Sequence, residues 1–225
     1  MRKTLLAGLA LGILSLCVAG GASATSYDPG TTYSVDSVDS VSTGSSMAGM
    51  EVTVSYGGGG SDVLSWGIFN STYGVGGTEW SLTVGGDTGT TDWLLKTTSA
   101  FNGFISSIKI DGTKANTVFD VNTDPDPSTV GSSNGYSFET VYSGTIDATY
   151  LDLVQVGSAP PVGDLYLSLL LSFGPAGLGS GKELYFAADT DTTKPLAPVP
   201  LPASFLLFGT GLVGLAGRGL RKKIG

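Results

Sequence analysis

Leu165-Tyr166-Leu167-Ser168-Leu169-Leu170-Leu171-Ser172-Phe173 is the stretch that decides the fold. Leu165, Leu167, Leu169, Leu171 and Phe173 fall on one side of an extended chain, and Tyr166, Ser168, Leu170 and Ser172 on the other. Apolar side chains on both faces predict a central strand covered from both sides. The same two-residue alternation recurs outward from it. Met50, Val52, Val54 and Tyr56 alternate with Glu51, Thr53 and Ser55; Leu64, Trp66 and Ile68 follow; Trp80, Leu82 and Val84 alternate with Ser81 and Thr83. Ile108 and Ile110 flank Lys109, Phe119 and Val121 flank Asp120, and Tyr136, Phe138, Thr140 and Tyr142 share a face. Ile146, Ala148 and Tyr150 are in phase, and the shift to Leu151 and Leu153 predicts a β-bulge. Residues 183–188 read as the last strand.

Between these strands stand glycine, serine, threonine and aspartate, the turn formers, with 25 glycines between Thr25 and Val199. No segment of 25–198 sustains a 3.6-residue period without glycine breaks, so helix content is expected to be low. The fold class is therefore all-β, an antiparallel β-sandwich or jelly-roll-like domain over residues 25–188. Residues 57–62 and 122–135 are the longer connections, expected at the surface. Residues 189–198, polar and proline-containing, read as a linker.

Charge is divided along the chain. All 19 acidic residues lie between Asp28 and Asp191, and only Lys96, Lys109, Lys114, Lys182 and Lys194 oppose them in the body 25–198, for a net charge of −14. This stretch holds no arginine or histidine, so it would repel phosphates, and nucleic acid is excluded as a partner. The remaining basic residues sit at the two ends. Arg2 and Lys3 precede the apolar run 5–18, and Ala22, Ser23 and Ala24 form a small-residue cleavage site, as in a secretory signal peptide over 1–24 with its signal helix. Cleavage is expected after Ala24. It would remove Cys17, the chain's one cysteine, which follows Leu16 where a lipobox needs a small residue. The mature chain then has no thiol and no disulfide.

The other end, 199–225, combines three features. Val199-Pro200-Leu201-Pro202-Ala203 is a proline hinge that holds the chain extended. An apolar stretch with Gly209, Gly211, Gly214 and Gly217 follows, and Arg218, Arg221, Lys222 and Lys223 close it. From Leu201 to Gly217 a helix would span about 26 Å, close to the roughly 30 Å hydrocarbon core, with the cations snorkelling at its cytoplasmic end. One C-terminal transmembrane helix is expected there. By the positive-inside tendency, the acidic body lies across the inner membrane from both basic ends.

Hinge, helix and basic tail together closely resemble the PEP-CTERM sorting signal of Gram-negative bacteria, with Leu201 where the usual motif has glutamate, giving a Val-Pro-Leu-Pro-Ala variant. The resemblance implies an exosortase, a membrane-embedded cysteine peptidase, as partner, after export by the general secretion machinery. It further implies transient anchoring in the inner membrane, transfer to the cell surface or extracellular matrix, and a role with exopolysaccharide in biofilm or floc.

Within the body, Asp120, Asn122, Asp124 and Asp126 alternate hard oxygen donors as a calcium loop does, although an EF-hand would need glycine at Pro125 and glutamate at Gly131. Asp and Asn as turn formers account for the same residues. Asp189 and Asp191 are a weaker pair of the same kind. No other cofactor is expected. Without histidine or cysteine, nucleophilic triads, dyads and the usual zinc sites are excluded from the body. A glycosidase needs only paired carboxylates, and Glu51, Glu79, Glu139 and Glu183 are available, three of them at outward strand positions. The reading is non-enzymatic. For carbohydrate binding, Trp66 and Trp80 share the phase of core residues, which leaves Trp93, beside the turn residues 89–92, as the exposed sugar contact.

Overall fold

A computed structural model describes residues 23–39, 42–121, 129, 132 and 135–195. Among them the chain is all-β. The first half contributes β1 (Ser23–Asp28), β2 (Tyr33–Asp39), β3 (Glu51–Tyr56), β4 (Ser61–Ser65), β5 (Gly67–Phe69), β6 (Thr72–Gly76), β7 (Trp80–Val84) and β8 (Trp93–Thr97). The second half contributes β9 (Ile105–Asp111), β10 (Thr117–Asp120), β11 (Glu139–Thr140), β12 (Ile146–Val156), β13 (Leu165–Phe173), β14 (Glu183–Ala187) and β15 (Asp189–Pro195). One turn of 3-10 helix, Thr113–Ala115, joins β9 to β10. No helix of the described residues is long and apolar enough to cross a membrane. The expected signal helix and the helix within 199–225 lie outside the described residues.

Two sheets form. One runs β1-β12-β2-β15-β10-β13-β9-β3-β4, the other β11-β14-β8-β7-β6-β5. They enclose a common core: Val52, Val54, Ile108, Ile110, Ile146, Ala148, Leu169 and Leu171 from the first, Leu82, Val84, Trp93, Leu95, Leu184 and Phe186 from the second. This part is sandwich-like. Because β12 also pairs with β13, the strands β12, β13, β10, β15 and β2 close into a ring, and this end is barrel-like. A smaller cluster, Val35, Val38, Val118, Val154, Leu165 and Leu167, draws on four of those five strands. The sheet is not wholly antiparallel as expected: β12 runs parallel to both β1 and β2.

β13 is central, pairing with β12 on one edge and with β9 and β10 on the other, and seven of its nine residues are buried. Its alternation serves two clusters, since Leu169, Leu171 and Phe173 enter the main core while Leu165 and Leu167 enter the smaller one.

Three expectations change. The bulge in β12 is absent: its register with β13 is the same before and after Asp152, and Val154 keeps the buried phase of Tyr150. The irregularity is Asp152 itself, left-handed at φ 65°, whose carboxylate accepts the Thr31 amide hydrogen at 3.1 Å as β12 changes partner from β1 to β2. Ile68 does not share the core with Leu64 and Trp66. The chain leaves the first sheet at Ser65 and enters the second at Gly67, so Trp66 is buried at the crossover and Ile68 is 80% exposed. Finally, residues 189–195 are not a linker but β15, hydrogen-bonded between β10 and β2. Polar as they are, Asp189, Thr190 and Asp191 are buried, because ring closure places this strand inside the sheet.

Candidate functional site

β10 and β15 bring together side chains far apart in sequence. Asp120 stands opposite Asp189, and Val118 opposite Asp191, so the three aspartates share one face of the pair. One carboxylate oxygen from each lies within 4.8 Å of the others, and all three residues are buried. Asp164, also buried, precedes β13 nearby; its carboxylate accepts the Thr129 hydroxyl at 2.6 Å and the Thr129 amide hydrogen at 2.5 Å.

The three aspartates are satisfied unequally. Ser132 donates its hydroxyl to Asp120 Oδ2. Asp189 Oδ1 accepts the Thr88 hydroxyl at 3.0 Å and the Thr190 amide hydrogen at 2.8 Å. Asp191, fully buried, has no hydrogen bond to either carboxylate oxygen. The ion pairs Lys96–Glu183, Lys109–Asp111, Lys114–Glu51 and Lys194–Asp39 all lie elsewhere, so no described cation neutralises the cluster. Burial raises the carboxyls of Asp120 and Asp189 to about 6 and that of Asp191 to about 8, with the neighbouring carboxylates adding to the effect. Such a constellation has the chemistry to hold a proton or a hard cation.

Asp120 is thus the member of the expected calcium loop that enters a cluster, and its partners come from β15. Asn122, Asp124 and Asp126 lie outside the described residues. The expectation that 122–135 is a surface loop fails where it can be read: Ser132 and Gly135 are buried against Asp120. A Cβ on Gly135 would fall 2.3 Å from Asp120 Cγ, so the backbone approach requires glycine.

Trp93 is not a surface sugar contact. It is 0% exposed, stacks on Phe186 at 5.8 Å between ring centroids and lies 5.2 Å from Trp66. Trp66 and Trp80 are core residues, as their phase predicts. An aromatic cleft of about 580 Å³ lies elsewhere, lined by Tyr56, Phe101, Phe104, Asp62, Glu79, Asn102 and Gly57–Gly59 with Gly103. In it the Tyr56 hydroxyl donates to Asp62 Oδ2 at 2.6 Å and accepts Trp80 Nε1–H at 2.8 Å. Glu51 and Glu183 are engaged with lysines, and Glu139 is exposed on β11. The cleft is missed in sequence because its residues come from four separate segments of the chain.

Residues 198–222 match the family model of the PEP-CTERM protein-sorting motif. The match takes in Val199, Pro200, Leu201, Pro202 and Ala203 and, of the basic tail, Arg218, Arg221 and Lys222, with Lys223 just beyond. No curated protein and no solved structure matches the chain. The protein thus carries a PEP-CTERM sorting signal, which indicates an exported protein sorted by an exosortase. The matched segment and Ala22 lie outside the described residues. Ala24 lies in β1, and cleavage after it would leave Thr25–Asp28 in register with Ala148–Leu151.

Proposed function

We propose that this chain is a non-enzymatic protein of the cell envelope or extracellular matrix, associated with exopolysaccharide in biofilm. The general secretion machinery removes the signal peptide at Ala22-Ser23-Ala24. The C-terminal helix then anchors the acidic body in the inner membrane until an exosortase acts at the Val-Pro-Leu-Pro-Ala form of the motif. The observation that carries the reading is the sorting motif at 198–222, which follows three residues after the end of β15. Intact mass of the protein from envelope and medium, with and without the host's exosortase, tests it. A species beginning at Thr25 and ending near Pro202, lost without that enzyme, is the expected result. An enzyme-independent species still ending at Gly225 would mean a permanent membrane anchor instead.

A second reading, a carbohydrate-binding module, draws support from the aromatic cleft. Tyr56 and Phe104, both half-buried, line it beside the polar groups of Asp62, Glu79 and Asn102, the combination that holds a sugar. The two readings are compatible, since a matrix protein held by its polysaccharide is also sorted to it.

A further inference from the structure

We propose that Asp120, Asp189 and Asp191 form a divalent-cation site, calcium in the first instance, that ties β15 to β10. Asp191 is 0% exposed and has both carboxylate oxygens without a hydrogen-bond partner. A buried carboxylate left so is costly unless it is paired or coordinates a metal. Among the described residues the nearby donors serve the other two aspartates: Ser132 donates to Asp120, and Thr88 and the Thr190 amide donate to Asp189. Free acceptor capacity on three side chains therefore converges on one point.

Geometry and chemistry agree on what fits there. Oxygens bound to one ion at about 2.3–2.6 Å lie no more than about 5 Å apart, and these three lie within 4.8 Å of one another. The ligands are all hard oxygens, and the body has no histidine or cysteine to favour zinc or copper. The strands supplying them are neighbours in the closing ring, and β15 is the strand immediately before the sorting signal. An ion there fixes the last strand of the body. Binding itself does not depend on the export reading; only the expectation that the site fills outside the inner membrane, where calcium modules work at about 10⁻⁴–10⁻³ M, rests on it.

The test uses the full chain, purified in detergent and stripped with EGTA. Equilibrium dialysis with radiolabelled calcium is expected to give one ion per chain. The thermal midpoint is expected to rise by roughly 5–10 °C at a hundredfold excess over Kd. Asp191→Asn is expected to lose the ion and the shift, yet to unfold in EGTA no earlier than the wild type, since it removes a buried charge. Asp120→Asn is the second variant, should the first not fold, and is expected to weaken binding at least tenfold. Asp36→Asn, an exposed change on β2, is expected to bind as the wild type does. No uptake of calcium, magnesium or manganese at about 10 mM with an unmoved midpoint would overturn the proposal. Undiminished binding by Asp191→Asn, or loss of binding by Asp36→Asn, would overturn it equally, and neither bears on whether the protein is exported.

Discussion

The indole Nε1–H of Trp93 donates a 2.8 Å hydrogen bond to the carbonyl oxygen of Ala188, the residue before Asp189. Trp93 is on β8 of the six-stranded sheet, and Asp189 opens β15 of the other, so this bond joins the two layers where the acidic strand begins. Trp93 and Ala188 are both fully buried, so this carbonyl lies away from solvent. Trp93→Phe keeps most of the stacking on Phe186 but orphans that carbonyl, for an expected loss of about 1–3 kcal/mol. Trp93→Ala removes the ring as well and should cost about 3–5 kcal/mol. Denaturant unfolding of the two variants against the wild type measures both. A Trp93→Ala loss below that of Trp93→Phe would contradict the core placement.

The strands that carry apolar alternation were legible from sequence, β13 most of all, because its leucines fill both clusters whatever their neighbours do. β15 was not. Asp189-Thr190-Asp191-Thr192-Thr193 offers no apolar face, and only its threonines hint at a strand. Its burial follows from a closing ring, a relation among five strands that no local window contains. Trp93 is deceptive for a related reason: the turn residues before it point to exposure, whereas Trp93, Leu95 and Thr97 together form the buried face of β8. Asp120 and the pair Asp189 and Asp191 are each visible in the sequence as oxygen donors, but only the pairing of β10 with β15 joins them. The sorting signal needed no fold, since a linear hinge, apolar run and basic tail are read directly.

Gly135 limits how closely the chain can pack over the cluster. An added Cβ would meet Asp120 Cγ and Oδ1 at 2.3 Å and cannot be absorbed without moving the carboxylate or the backbone. Gly135→Ala is therefore expected to destabilise the protein by about 1–3 kcal/mol, the range for overpacking a close contact. Thermal unfolding measures the cost. Gly58→Ala, where a Cβ meets nothing within 4 Å, is the matched change expected to leave the midpoint nearly unmoved.

Tyr56 gives the alkaline limb of stability a definite sign. Burial, and then its hydrogen bond to Asp62, push its hydroxyl from 10.0 up to about 12. The native state keeps the proton where the unfolded state has lost it, so the contribution is complete below about pH 10 and disappears as pH rises toward 12. Tyr56→Phe should unfold more easily at pH 8, since Trp80 Nε1–H loses its acceptor. It should also show a shallower fall in midpoint between pH 10 and 12 than the wild type. Parallel falls in the two proteins would remove Tyr56 from the account.

The cleft separates the matrix, binding and enzymatic readings by experiment. Phe104 is half-buried on its wall, and Phe104→Ala removes one ring face without touching Asp62 or Glu79. If sugars stack there, retention of the purified chain on host exopolysaccharide should fall about two- to tenfold, since an aromatic contact is worth roughly 0.5–1.5 kcal/mol. Glu79→Gln replaces a carboxylate by an isosteric amide, so it should leave retention within about twofold if Glu79 only frames the site, and reducing ends should accumulate in neither protein. Release of oligosaccharide by the wild type that vanishes in Glu79→Gln would make the cleft catalytic, with Glu79 and Asp62 as the pair of carboxylates such hydrolysis requires. Equal retention of wild type and Phe104→Ala would move the polysaccharide contact away from the cleft altogether.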